Sequence, residues 1–202
     1  MQPFTIITAV AAPLEMANIN TDRIIPARFL SRARGPDYGK LAFHDIRFDA
    51  DGTEKQDFVL NQAPYRAAKI LVTGANFGCG SSRETAVYAL YDFGIRAVIA
   101  PSFGDIHYAN ELQNGMLPVV LPGETVQKLS QDLRARPGAE VTIDLEKQNV
   151  TGPDGVVHHF DIDSNYRERL LKGLDDIELV LQHRDVIETF EERYHIERPW
   201  LA

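Results

Sequence analysis

The sequence predicts an α/β fold: a mostly parallel sheet flanked by helices, with an additional β-rich segment and C-terminal helices. Three observations carry that expectation. Short apolar, β-branched runs such as Lys69-Ile70-Leu71-Val72 alternate with stretches of helical periodicity, which implies parallel strands buried between helices. A turn-forming stretch, Gly152-Pro153-Asp154-Gly155, separates two runs that read as strands of a hairpin. At 202 residues, 44% of them hydrophobic and 25% charged, the chain can bury one sizeable core, so residues 1–202 are expected to form one domain with appendages.

Residues 4–10 read as an opening strand, followed by an irregular polar segment that runs to Pro26. Residues 28–40 are rich in arginine, glycine and proline, a composition suited to a surface loop that can carry specificity. A strand over 69–73 leads into a glycine-rich loop. Ala86, Val87, Leu90 and Tyr91 then recur at helical spacing, which predicts a helix over 82–93 stopped by Gly94. Strand 97–100, helix 105–113, strand 118–121 and helix 125–134 continue the alternation. Residues 141–145 and 156–162 read as two strands, and helices over 165–172 and 183–195 close the chain.

The loop from Thr73 to Glu84, with Gly74, Gly78 and Gly80, two serines and Arg83, is the candidate site. Its glycines let the backbone turn and approach a ligand closely, and the amides of the following helix start attract a carboxylate or phosphate. Arg83 adds a planar fork that matches a carboxylate. The same residues admit a plainer reading, because Ser81 with Glu84 three positions on is the pattern of a capping box. A nucleotide is disfavoured: the glycines miss the G-x-G-x-x-G spacing, and no lysine precedes the serines as a P-loop requires. Ligands of open α/β sheets collect at the carboxyl ends of strands. Pro101-Ser102-Phe103-Gly104-Asp105 ends the next strand, so the two loops are expected to face each other, with Ser102 capping the following helix. Asn20-Thr21-Asp22 reads as a turn.

Asn76-Phe77-Gly78-Cys79-Gly80-Ser81-Ser82-Arg83-Glu84 resembles the signature of the swivelling domain of the aconitase superfamily. Further segments are similar, in the same order, to the small-subunit family of bacterial 3-isopropylmalate dehydratases. These are Asn18-Ile19-Asn20-Thr21-Asp22-Arg23-Ile24-Ile25-Pro26, Ala100-Pro101-Ser102-Phe103-Gly104-Asp105-Ile106, Asn114-Gly115-Met116-Leu117-Pro118 and Gly173-Leu174-Asp175-Asp176-Ile177, so the likeness spans essentially the whole chain. It departs at Thr85, where that family usually has histidine.

The resemblance implies a swivelling β/β/α domain of aconitase type. It also implies the cluster-free subunit of a heteromeric hydro-lyase that interconverts 2-isopropylmalate and 3-isopropylmalate by dehydration and rehydration, in leucine biosynthesis. On that basis Ser81 is the expected catalytic base, acting as an alkoxide. Gly80, Ser82 and Arg83 are the expected substrate-binding residues, and Asp22 and Asn76 support them from behind. A [4Fe-4S] cluster on the large subunit is the implied Lewis acid. Phe29 and Leu30, within the stretch 28–34, suit an isopropyl group, whereas an arginine turned inward there would suit the third carboxylate of a homoaconitase or methylmalate-type relative. The other reading that stays open is a non-catalytic anion-binding assembly module whose serines cap a helix.

Composition narrows the partners. A net charge of −8 argues against nucleic acid and anionic membrane surfaces, which need clustered basic residues. Cys79 is the single cysteine, so the chain has no disulfide framework and cannot by itself hold an iron-sulfur cluster. No base partner for a thiolate nucleophile is evident, and Cys79 reads as a small packed residue. His158 and His159 would point to opposite faces of a strand. His44, His107, His183 and His195 show no ligand spacing, so no metal site of the chain's own is expected. The first residues lack the basic region of a signal peptide, and no apolar run approaches the ~20 residues that span a bilayer. The expected setting is cytoplasmic. The expected partners are a malate-type acid and a large subunit, with no cofactor bound by this chain.

Overall fold

The computed structural model describes residues 1–201, and seven strands within them join one sheet. The strands are β1 (Ile6–Leu14), β2 (Ile70–Thr73), β3 (Ala97–Ala100), β4 (Leu117–Val120), β5 (Glu140–Asp144), β6 (Asn149–Thr151) and β7 (Val157–His159). Their spatial order is β4-β3-β2-β1-β5-β6-β7. β1 through β4 pair in parallel, and β1 with β5, β5 with β6 and β6 with β7 pair antiparallel.

β1 serves both halves. Ile6 to Val10 pair with β5, and Ala11 to Leu14 pair with β2. It runs four residues beyond the predicted end at Val10. Pro13 is tolerated there because pairing with β5 has stopped, so one edge of the strand is free and no ladder donor is lost.

The α-helices of the described residues are α1 (Thr21–Ile24), α2 (His44–Arg47), α3 (Glu84–Phe93), α4 (Asp105–Gln113), α5 (Gly123–Ala135), α6 (Ser164–Lys172), α7 (Asp176–Leu181) and α8 (Arg184–Glu197). Alternate residues of the parallel strands feed two cores. Leu71 and Val98 pack with Ala86, Val87 and Leu90 of α3. Ile70, Val72, Ala97 and Ile99 pack with Val126, Leu129 and Leu133 of α5 on the opposite face. Each core-facing helix thus presents an apolar stripe to its side of the sheet.

The antiparallel half departs from the expected two-stranded hairpin. The Gly152–Gly155 turn is present, but it joins β7 to an additional short strand, β6. A second turn precedes β6, in which Asp144 Oδ1 accepts from the Lys147 amide (2.9 Å) and Gln148 takes a left-handed φ of 54°. Three residues, Asn-Val-Thr, are too few to show a periodicity, and Gln148 is not a residue type that announces such a turn.

Beyond α6 the helices lose their core. No residue of α7 or α8 is buried, and Ile177, Val186, Phe190 and Ile196 are exposed. A capping box of Asp175 with Glu178 starts α7, and Arg169 ties Asp176 back to α6 (2.7 Å).

Candidate functional site

The glycine-rich loop leaves β2 at Thr73 and is stitched to three neighbours before it reaches α3. Asn76 takes a left-handed φ of 62°, its amide donates to Ser102 Oγ (2.9 Å), and its side chain donates to Asn18 Oδ1 (2.9 Å). The Phe77 amide donates to the Ser102 carbonyl (3.1 Å), and the Gly104 amide donates to the Phe77 carbonyl (2.8 Å). The loops after β2 and β3 therefore face each other, as expected. Ser102, however, is not the helix cap: Gly104 occupies that position, and the Ser102 hydroxyl holds Asn76.

Two other contacts bring in the segment after β1. The Gly78 amide donates to the Ile19 carbonyl (2.7 Å), and the Thr21 amide donates to the Cys79 carbonyl (3.0 Å). Thr21 Oγ1 then donates to the carbonyl of Ser81 (2.9 Å), fixing the loop at the residue of greatest interest. α1, opened by Asn20 accepting from the Arg23 amide (2.9 Å), presents Asp22 to Arg83. The Arg83 guanidinium donates through Nη1 to Asp22 Oδ1, and its side chain is 16% exposed.

The capping-box reading of Ser81 and Glu84 fails on geometry. α3 begins at Glu84, its cap is Arg83 in extended backbone, and no side chain caps it. Glu84 Oε1 instead accepts from Asn114 Nδ2 (3.0 Å). Ser81 and Ser82 are exposed, ahead of the helix. Among the described residues, the amides of Gly80, Ser81, Ser82 and Arg83 donate to no protein acceptor, so four N–H groups stand free at this end of the sheet. Gly80 has a φ of 95°, which a side chain would strain.

Ser81, Gly80 and Arg83 line one cleft of about 160 Å³, together with Thr21, Gly78, Asp105 and His107. Free amides, a hydroxyl and a guanidinium around a space of that size suit one small carboxylate-bearing molecule. A larger cavity, about 510 Å³, runs along α5 against Gly74 and Pro101, where Arg134 pairs with Glu15 (2.6 Å). It contains neither Ser81 nor Ser82; Ser81, Gly80 and Arg83 line the smaller cleft, whereas Ser82, Asp22 and Asn76 are not part of its wall.

Phe29 and Leu30 do not line that cleft. Phe29 is half-buried against the core and its ring lies 5.0 Å from that of His44, whereas Leu30 is exposed. Arg28 pairs with Asp45 (2.8 Å) and stacks on Phe29, and Arg34 forks onto Asp92 (2.7 and 2.6 Å). Both arginines are thus engaged by carboxylates of their own chain. Thr85 has its hydroxyl buried with no partner among the described residues.

Sequence reasoning missed His107 and Glu111. Both are buried on α4, with Nε2 and Oε1 3.0 Å apart but out of hydrogen-bonding alignment. Burial pushes the Glu111 carboxyl above the usual glutamate range, opposed by His107. The i, i+4 spacing of a histidine and a glutamate on a helix with Leu112 buried beside them was the available signal. Among the described residues, no group of three or more His, Cys, Asp or Glu side chains is placed to hold a metal ion, and no helix is long and apolar enough to cross a membrane.

Known proteins match this chain along its length. The aconitase C-terminal domain family matches residues 1–124, a LeuD_N model matches 127–164, and the family of C-terminal domains of the 3-isopropylmalate dehydratase small subunit matches 176–202. The 3-isopropylmalate dehydratase small subunit of Gluconacetobacter diazotrophicus is 54% identical, with 99% of this chain and 97% of that protein covered. Its counterpart from Paramagnetospirillum magneticum is 53% identical over 100% of both chains. The crystal structure of a 3-isopropylmalate dehydratase chain from Methanocaldococcus jannaschii superimposes with a TM-score of 0.65 at 27% identity, covering 92% of this chain and 99% of that one.

Proposed function

The chain belongs to the family of 3-isopropylmalate dehydratase small subunits, with a domain of aconitase type, and from that premise we infer that it is the small subunit of a hydro-lyase interconverting 2- and 3-isopropylmalate in leucine biosynthesis. It works with a large subunit, in the cytoplasm, as one swivelling domain over residues 1–202. The continuous seven-stranded sheet supports the last point.

The observation that carries the site assignment is Ser81 standing in the cleft beside Arg83 without capping α3. Ser81 is the base that removes the proton next to a substrate carboxylate, and the abstracted proton resides on its Oγ. A serine hydroxyl is a very poor base in water, so the alkoxide needs oriented donors around it. The free amides of Gly80 to Arg83 and the start of α3 supply that field. Arg83 holds a substrate carboxylate with the part of its fork that Asp22 leaves open, and Ser82 adds a hydroxyl beside it. Asp22 sets the direction of the guanidinium, and Asn76 sets the path of the loop. Cys79 alone cannot hold an iron-sulfur cluster, which belongs to the large subunit and supplies a Lewis acid for the departing hydroxyl.

Arg28 and Arg34 are already paired with carboxylates of their own chain, which leaves Arg32 as the one arginine of 28–34 without an ion pair among the described residues. Leu30, exposed, is the apolar residue of that stretch left to meet the substituent in the assembled enzyme, whereas Phe29 is packed against the core. Reconstitution with the large subunit under anaerobic conditions should give turnover of 3-isopropylmalate at least equal to that of citrate or homocitrate. A preference for the tricarboxylates would overturn the substrate, not the fold.

A further inference from the structure

The reaction as proposed leaves two buried ionisable residues unused. His107 is 2% and Glu111 0% exposed, and each makes its one ion pair among the described residues with the other. Burying such a pair is costly, and apolar residues of the same volume usually serve stability as well or better. Its position offers a reason. The His107 ring lies directly under Gly78, so closely that a Cβ there would stand 2.1 Å from it, and Gly78 holds a φ of 70°. The same ring meets Phe77 edge to face at 5.4 Å and forms part of the wall of the cleft that contains Ser81. On the other side of Gly78, its carbonyl leaves no room for a side chain at Gly104.

We propose that His107 and Glu111 are a positioning pair which, packed 3.0 Å apart beneath Gly78, fixes the path of Gly78 to Ser81 over α4 and so aims the Ser81 hydroxyl. The proposal rests on Ser81 being the base. With one proton between them the two groups are neutral overall, whether as imidazole and carboxyl or as imidazolium and carboxylate. A second proton, or the loss of the first, leaves a net charge buried beneath Gly78, which the loop must shift to solvate. The other ionisable groups near the pair are Asp105 and Tyr108 on α4 itself, Arg83 across the cleft with Asp22 behind it, and Tyr166 and Asp163, which face Tyr108 from the α6 side. Glu111 also acts on Tyr108, whose hydroxyl burial pushes upward.

Two measurements test the pair. In the full-length chain, the Gly78 and Gly80 amide signals should move with pH as Glu111, whose carboxyl burial holds above the usual range, changes charge. They should stay still over the same range in His107→Leu/Glu111→Val, which stays close to the parent volume and removes the proton. In the anaerobic complex with its large subunit, that double variant should melt at or above the wild-type temperature yet lose kcat by about tenfold or more, since small misplacements of a reacting group cost that much. KM should stay within about twofold, because Arg83 is untouched. Glu111→Gln, the milder change, should flatten the alkaline side of the kcat profile. A double variant with wild-type kcat and pH profile overturns the proposal, as do glycine signals that ignore the pair. If the signals do follow the pair while Ser81→Ala retains turnover, it is the role of Ser81 that fails, and the hold of the pair on the loop stands.

Discussion

The two halves of the sheet share β1 but are built on different terms. In the parallel half, every residue of β2 and β3 is buried, because helices cover both faces. In the antiparallel half, β5 alternates buried positions with exposed or half-buried ones, and no residue of the edge strand β7 is fully buried. The parallel half ends in the loops that carry Ser81 and Arg83, whereas the antiparallel half ends in tight turns with no such cluster. A catalytic loop must be held to about 0.5 Å, and packing on both faces of its strands helps to do so. The candidate site thus sits on the half whose strands are buried on both faces.

The largest expected effect belongs to the loop. Ser81→Ala and Ser81→Gly should both reduce turnover of the reconstituted enzyme by roughly 10²- to 10⁴-fold, the range for loss of a general base. Because Ser81 caps nothing, melting temperatures should barely change. Substantial turnover by Ser81→Gly in the cluster-loaded complex would end the alkoxide assignment. Next comes Arg83→Lys, which keeps the charge and loses the fork. It should lower kcat/KM by an amount equivalent to about 1.5–3 kcal/mol, a charge-assisted hydrogen bond. Unchanged kinetics would reduce Arg83 to a partner of Asp22.

A direct contrast of the halves follows. Ile99→Ala, at a fully buried position of β3, should cost about 2–5 kcal/mol in urea unfolding. Val157→Ala, on the exposed edge strand, should fall within about 0.5 kcal/mol of the parent. Equal losses at the two sites would mean that the antiparallel ribbon is as tightly packed as the core.

The smallest effect lies in the excursion between β1 and β2, which belongs to neither half. The Arg28 guanidinium holds the Asp45 carboxyl down at about 2, from a usual value of 3.8. A folded-state value below the unfolded one means that this stabilisation is present above about pH 3.8 and is lost as pH falls towards about 2. Asp45 is half exposed, so screening keeps the contribution small. In acid melts, the difference between the parent and Asp45→Asn should close near pH 2, and a gap that persists there would refute the pairing.

Residues 69–145 were legible as alternating strands and helices because a parallel strand buried on both faces is a short continuous apolar run, readable without its neighbours. The strand 149–151 was not, since its pairing with β5 and β7 is what makes three residues a strand. The site loop was legible as a local pattern of glycines, serines and an arginine. Ser102, by contrast, reads as a cap in the sequence because cap and loop tie use the same hydroxyl, and only the approach of Asn76 separates them.

Local chemistry that depends on one stretch of chain was thus determined by the sequence alone. It set the α/β alternation, the anion-seeking loop at a strand's carboxyl end, the single thiol that cannot hold a cluster, and the family whose motifs the loop repeats. Everything that depends on two distant stretches meeting was decided by tertiary structure. Folding placed Asp22 on Arg83 and Thr21 on the carbonyl of Ser81, although 61 and 60 residues separate them. It also freed Ser81 from the helix cap by starting α3 at Glu84, and it slid the His107 ring beneath Gly78. The physical reason is that hydrogen bonds and close approaches act over a few ångströms in space, whatever their separation along the chain.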